Sequence, residues 1–315
     1  MHPLKIASCL LAVTVAGCAL LAAPGLASAG KGGSAAVILA ATDQPAASPP
    51  MPKQATPGRA YLFRGALGPI FSRGIDRLTK RIEQAGIPAS VNEFTICRRV
   101  ASKAIEEYRR EPAPIILIGH SMGGYCALKF AEMLQRENIP VSLVVTIDPA
   151  HVTPKVPINV ERFINIFLAN DVLGGGDVVP EKGYQGHYAS YDVSKVKDVL
   201  HINIDKVDSI HTQLVAKVQQ LAVTPAGVEG ESVPLRLVVP RDAEVELWDS
   251  GTPVLSRAGD TLQSLAAYYR VPGWALTQLN EVPESAPLLA DQRIIVPRHL
   301  VPLPAVTGPP PPTRR

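Results

Sequence analysis

Ile115-Ile116-Leu117-Ile118-Gly119-His120-Ser121-Met122-Gly123-Gly124 is a short apolar run that ends in G-x-S-x-G. Its first four residues, flanked by Pro114 and Gly119, read as a strand buried on both faces. From Met122 to Gln135 the apolar residues Tyr125, Leu128, Phe130, Ala131 and Leu134 recur at helical spacing. Ser121 therefore stands between a strand and a helix, which is the context of a nucleophile elbow. The tight turn forces the serine into strained backbone geometry, and the helix aims its N-terminal amides at developing negative charge. The bland alternative is a serine that only caps the helix.

On the N-terminal side, Ala60-Tyr61-Leu62-Phe63 reads as a strand. Ile75, Leu78, Ile82 and Ala85 mark an amphipathic helix, and a short strand follows around Ala89 to Phe94. Val100, Ala101, Ala104, Ile105 and Tyr108 stripe the next helix. On the C-terminal side, Val141 to Ile147, Arg162 to Leu168 and Val199 to Ile204 read as strands, and a helix from Thr212 to Leu221 closes the unit. Such alternation predicts an α/β fold with a central, mostly parallel sheet and helices on both faces, over residues 58–222. Ligands bind such sheets at the carboxyl ends of the strands, where Ser121 falls. Residues 223–252 read as a linker. Within them, Leu235 to Val239 and Glu244 to Trp248 look like a hairpin that extends the module following it.

A serine hydroxyl needs a base to take its proton and a third group to orient that base. On this kind of elbow the expected chain order is serine, acid, histidine. His211 follows the last expected strand in a polar loop and is the expected base. His120 is expected to point away from the serine, and His151, His187 and His201 read as loop or surface residues. Asp171, which ends the strand of Ile164 to Leu168 two strands beyond the nucleophile, is preferred as the acid. Asp148, ending the preceding strand, is the alternative, and Asp177 stands behind both. For the oxyanion, Met122 supplies one backbone N–H. The Phe63-Arg64-Gly65-Ala66-Leu67-Gly68 loop supplies the other, assigned to Ala66.

With these residues in hand, the span from about Arg59 to Leu221 resembles a compact α/β-hydrolase. Gly119-His120-Ser121-Met122-Gly123-Gly124 is close to the G-H-S-x-G-G of lipases and esterases. The resemblance implies hydrolysis of a carboxylic ester or thioester through an acyl-enzyme on Ser121, with no cofactor. The span is short, lacks several lid helices and lacks an HGG-type oxyanion motif.

Farther along come Arg257-Ala258-Gly259-Asp260-Thr261-Leu262, Leu265-Ala266-Ala267-Tyr268-Tyr269, Leu276-Thr277-Gln278-Leu279-Asn280 and Ile294-Ile295-Val296-Pro297. Residues 253–298 resemble a LysM domain, a small βααβ unit whose first helix Asp260 or Thr261 can cap. The resemblance implies binding of peptidoglycan or another N-acetylglucosamine polymer. The groove it implies is formed by Gly259, Asp260, Thr261, Pro287 and Leu288. Val254 and Ser256 stand where the family usually has an aromatic and a valine.

Lys5 and the apolar stretch Ile6 to Ala29, ending in Ala27-Ser28-Ala29, resemble a secretory signal peptide over 1–29. Val15-Ala16-Gly17-Cys18 looks like a lipobox, so lipidation at Cys18 or a retained anchor are the two routes to a membrane. The signal-peptide and lipobox readings both mean export, to the periplasm or the cell envelope. Residues 30–57 have the Ala/Pro/Ser/Thr composition of a disordered tether, and 299–315 form a Pro-rich tail. A net charge of +3 over 315 residues, with no basic–aromatic run, excludes nucleic acid as an expected partner. Cys97 and Cys126 alone make no disulfide framework, and no C-x-x-C or H-E-x-x-H spacing calls for a metal. Two other functions fit the same chain. One is an envelope glycan-binding protein whose hydrolase fold is idle. The other is a hydrolase of acyl groups on the cell-wall glycan itself.

Overall fold

The computed structural model describes residues 57–66, 68–223 and 230–303. The signal segment, most of the tether and the end of the Pro-rich tail lie outside these residues. Seven strands form one sheet in the order β2-β1-β3-β4-β5-β6-β7, every neighbouring pair parallel. They are β1 (Arg59–Arg64), β2 (Ala89–Glu93), β3 (Ile115–His120), β4 (Leu143–Ile147), β5 (Arg162–Phe167), β6 (His187–Asp192) and β7 (Leu235–Val238). The strands alternate their side chains between two cores. Leu62, Ile116, Ile118 and Val145 face one side, with Ile75, Leu78 and Ile82 of α2 (Arg73–Gln84) and Leu214, Val218 and Leu221 of α5 (Asp208–Val223). Phe63, Leu117 and Val144 face the other, with Ala101 and Ile105 of α3 (Cys97–Arg110) and Leu128, Phe130 and Leu134 of α4 (Met122–Arg136). A short α1 (Gly68–Phe71) precedes α2. Cys97 and Cys126 are both buried and free.

Strand order reverses between β1 and β3, because the chain first steps outward to β2 and then returns. At such a switch point the loops leaving the two neighbouring strands diverge and open a crevice at their carboxyl ends. Here those loops carry Gly65 and Ala66 after β1 and Ser121 after β3.

Two elements differ from the sequence reading. Residues Val199 to Ile204 are turns leading into a 3₁₀ turn (Ile204–Lys206), and the strand in this region is β6. Its sequence, His-Tyr-Ala-Ser-Tyr-Asp, conceals a buried strand because its serine and tyrosine hydroxyls are paired. Ser190 Oγ donates to Asp177 at 2.6 Å, and the Tyr188 hydroxyl donates to Asp177 at 2.7 Å. Leu235 to Val238 do not form a hairpin with the residues after them but extend the large sheet as β7, burying Leu235 and Leu237.

The C-terminal module pairs β8 (Trp248–Leu255) antiparallel with β9 (Arg293–His299), with α6 (Leu262–Tyr269) and α7 (Gly273–Asn280) between them. It is not a bead on a string. Leu262, Leu276 and Val296 belong to the same apolar cluster as α2 and α5. The Tyr191 hydroxyl donates to the Trp248 carbonyl at 2.7 Å and accepts from the Trp248 amide. Gln278 bonds both backbone groups of Val238. Beneath these contacts, one oxygen of buried Asp249 accepts from Arg162 at 3.2 Å and Lys217 at 3.1 Å, joining β8 to β5 and α5. Among the described residues no helix is long and apolar enough to cross a membrane.

Candidate active site

Ser121 has φ 55° and ψ −123°, a region that non-glycine residues avoid. Two glycines make this turn: a Cβ on Gly119 would collide with the Gly123 carbonyl, and one on Gly123 with the Phe63 carbonyl. The Ser121 amide donates to Ile147 O at 3.0 Å and its carbonyl receives Gly124 N–H at 2.9 Å, so the strained residue is held from both sides. Ser121 precedes α4, whose first-turn amides have no partner within the helix. Met122 is the first of them. The loop after β1 reaches the serine: a Cβ on Gly65 would lie 2.8 Å from Ser121 Cβ and 3.3 Å from its Oγ. The Gly65 amide itself donates to Ser72 Oγ at 3.0 Å, and Ala66 is the next residue of the loop.

The structure brings together Asp148, Asp171 and His201, whose ligand-type atoms all lie within 4.8 Å of one another. His201 Nδ1 and Asp148 Oδ2 are 2.6 Å apart, a charge-assisted hydrogen-bond length with the proton between them. The other oxygen of Asp148 accepts the Leu168 amide at 3.1 Å, so the fully buried carboxylate is fixed. Asp148 has φ 42°, a conformation aspartate tolerates better than most residues, and Gly174 packs directly on its carboxylate. Burial alone would depress His201. The Asp148 hydrogen bond and the charges of Asp148, Asp171 and Asp205 outweigh it and raise its pKa above the ordinary 6.5.

Asp171 is half-buried and uses Oδ1 to accept the Leu173 amide at 2.7 Å, a turn-capping bond. His211 is not brought to either aspartate. It is fully buried at the start of α5, where its Nε2 donates to the Asp205 carbonyl at 2.7 Å, and burial pushes its pKa down to about 4. The sequence reading set His201 aside as a loop or surface residue and also placed 199–204 in a strand. Once β6 is recognised at 187–192, His201 is the histidine on the loop that leaves the strand, which is where a base belongs.

His120 does not merely point away. Its Nε2 lies 2.9 Å from the His201 carbonyl, an acceptor, so Nε2 carries the proton and Nδ1 is an acceptor. Ser72 Oγ, 2.9 Å from Nδ1, must then donate to it, while accepting from the Gly65 amide. A single directed chain thus runs from the Gly65 loop through Ser72 and His120 to the His201 loop. Burial, then the neighbouring His201, push the His120 pKa down to about 3, so this relay is neutral at any working pH. G-H-S is the sequence signal for it.

In the C-terminal module Thr261 caps α6, accepting from the Ser264 amide at 3.1 Å in a reciprocal capping box. The Leu288 amide donates to Asp260 O at 2.7 Å, and the Gly259 amide to Leu288 O at 3.3 Å. Leu288 is buried and Pro287 exposed.

Residues 83–162 match the Thioesterase domain family, and residues 257–297 match the LysM domain family. The chain joins a thioesterase-type α/β-hydrolase domain to a LysM domain. The thioesterase match includes Ser121 and Asp148 and ends before His201. Among solved structures, an alpha/beta-superfamily protein from Xanthomonas campestris pv. campestris is similar at 19% identity. That likeness has a TM-score of 0.27 and covers 39% of this chain and 75% of that one. The NocB thioesterase domain, solved in covalent complex with a fluorophosphonate nocardicin G analog, is similar at 16% identity. Its TM-score is 0.27, over 59% of this chain and 85% of that one. No curated protein matches the chain.

Proposed function

We propose that the protein is a serine hydrolase that cleaves a carboxylic ester or thioester, held at the cell envelope by its LysM domain. Ser121 attacks the acyl carbonyl, His201 takes the hydroxyl proton and returns it to the leaving group, and Asp148 orients His201. The amides of Met122 and Ala66 stabilise the oxyanion, and water then releases the acyl group from Ser121. The observation that carries this reading is the pairing of a strained elbow at Ser121 with the 2.6 Å Asp148–His201 bond on the neighbouring loop. Asp171 adds negative charge beside the base, and His211 holds the base's loop to α5. Export rests on the apolar, signal-like segment Ile6 to Ala29, and envelope retention on the LysM match.

A second reading, a hydrolase of acyl groups carried by the cell-wall glycan, is favoured by the core that the two domains share. Glycan bound to the LysM domain would then be held in a fixed relation to Ser121.

Hydrolysis of p-nitrophenyl esters from acetyl to palmitoyl tests the reading. A rate that falls by ~10⁴-fold in Ser121→Ala is the expected result. Equal rates in the two proteins would remove Ser121 from the chemistry.

A further inference from the structure

The loops that leave the carboxyl ends of the strands expose large apolar side chains around Ser121. Ile70 stands on α1 after β1, Val152 after β4, Val172 and Leu173 after β5, and Leu200 and Ile202 after β6. Val172 is 87% exposed. One exposed valine or leucine is ordinary, whereas a contiguous set marks an interaction surface. Bonds between the loops hold this set together. His151 Nε2 donates to the Val172 carbonyl at 3.2 Å, joining the loops after β4 and β5. His201, between Leu200 and Ile202, bonds Asp148 at 2.6 Å. The His201 carbonyl accepts from His120, whose other nitrogen accepts from Ser72, close behind Ile70 on the chain. These side chains are exposed with the C-terminal module in place. That module reaches β5 and β6 at their first residues, Arg162 and His187, through Asp249 and Ser250.

Positive charge flanks the apolar rim. Arg73, Arg77 and Lys80 are exposed along α2 and line, with Arg64 and Asp76, an open cavity of about 500 Å³. Asp76 accepts from Arg64 Nε at 3.0 Å, and Arg64 also donates to Glu93 at 2.7 Å. Arg77 donates to the Lys206 carbonyl, which ties α2 to the end of the loop carrying Leu200 and Ile202. Lys195 and Lys197 are exposed at the start of that loop, beside the exposed acid Asp198. Of the other acids here, Asp171 is turned to the Leu173 amide, and Asp208 accepts from Arg81 at 3.1 Å. An apolar patch with cations at its margin complements a bilayer with anionic headgroups, since the apolar groups enter the interface while the cations meet phosphates. An acyl chain alone would account for the apolar side chains but not for the cations beside them.

We infer that the face around Ser121 docks on an anionic lipid surface. Val172, Leu173, Leu200 and Ile202 enter the headgroup layer, and Arg73 and Lys80 face lipid phosphates. The docking itself does not use Ser121. Where it rests on the reading of Ser121 as nucleophile, it makes the substrate an acyl ester presented by that surface.

Co-sedimentation with vesicles tests it, using the chain from Gly30 onward, which keeps every described residue. Binding is expected to vesicles containing about 30% phosphatidylglycerol, and several-fold weaker binding to phosphatidylcholine alone. Val172→Ser combined with Leu200→Ser is expected to weaken binding by about tenfold or more, with Tm and the rate on a soluble acetyl ester parent-like. Arg73→Gln combined with Lys80→Gln is expected to weaken binding to the anionic vesicles by about tenfold and leave that to the neutral ones unchanged. Ser121→Ala is expected to bind as the parent does. Failure of the parent to bind, equal binding to both vesicles, or parent-like binding by the Val172→Ser, Leu200→Ser protein would overturn the docking. A dimer in solution that the same two substitutions dissociate would assign the face to a second copy and overturn it as well. Vesicle binding by a parent that hydrolyses no ester would leave the docking standing and remove the hydrolase reading.

Discussion

His120 donates from Nε2 to the backbone carbonyl of His201 across 2.9 Å, so the residue before the proposed nucleophile holds the loop that carries the proposed base. The two imidazoles lie with centroids 4.9 Å apart, and the other nitrogen of His120 leads through Ser72 to the loop proposed to carry an oxyanion amide. Removing a buried partner from such a chain costs about 1–3 kcal/mol, which read as a barrier is roughly 5- to 150-fold in rate. His120→Ala is therefore expected to lower kcat by about 10- to 100-fold with KM little changed, since His120 positions both loops without touching the acyl group. Ser72→Ala is expected to act in the same direction and more weakly. Steady-state kinetics on one p-nitrophenyl ester check this, and a change in KM alone would argue against it.

The pH profile has a definite sign. As the proposed base, His201 would accept the serine proton only when neutral, and its pKa is held above 6.5 by Asp148, Asp171 and Asp205 against the opposing effect of burial. kcat/KM is expected to rise with pH through an acid limb centred on the alkaline side of 6.5. Asp148→Asn removes the hydrogen-bonded charge, so the limb is expected to move to lower pH while the plateau falls steeply. His120 contributes no limb, because it stays neutral down to about pH 3. A profile flat from pH 5 to 9 would contradict the assignment of the base.

Asp249 is the buried counter-charge for two cations, Arg162 and Lys217, whose side chains are each 4% exposed. Asp249→Ala removes the carboxylate that both share, leaving Arg162 with Glu161 and Lys217 with Gln220, and breaking a buried pair in this way costs about 3–5 kcal/mol. Urea unfolding is expected to show that loss. Because α5 and the LysM helices share one apolar cluster, the described parts of the two domains are expected to unfold in a single transition. Two well-separated transitions in the parent would show that the shared cluster does not couple them.

Much of this arrangement was legible in the residues. Runs such as Ile115 to Ile118 and Leu143 to Val145 are apolar on both faces and announce central parallel strands. The glycines of Gly119-His120-Ser121-Met122-Gly123 announce the turn, because close backbone approach leaves a local signature. Strand β6 was hidden for the opposite reason. Its polar side chains bond partners distant in sequence, such as Asp177 for Ser190 and, through Nδ1, Ser250 for His187. No window of sequence shows such pairings. That one misreading displaced the last loop, and it led the sequence reading to His211 rather than to His201, the base proposed here. The choice between Asp148 and Asp171 turned on the same point, since only the three-dimensional position of His201 gives either aspartate a partner. The role of β7 was hidden because four residues with alternating burial suit a hairpin and a sheet edge equally well.

Labelling by a fluorophosphonate, read by intact mass and peptide mapping, tests the central claim most directly. The reagent reports the nucleophile and its base without a guess at the acyl chain. The parent protein is expected to gain one adduct, on Ser121. His201→Ala is expected to lose that reactivity, while His211→Ala keeps it and loses only stability, by about 1–3 kcal/mol for the severed bond to Asp205. An unlabelled Ser121 in the folded parent, or labelling that survives His201→Ala and fails in His211→Ala, would contradict the Ser121–His201–Asp148 assignment.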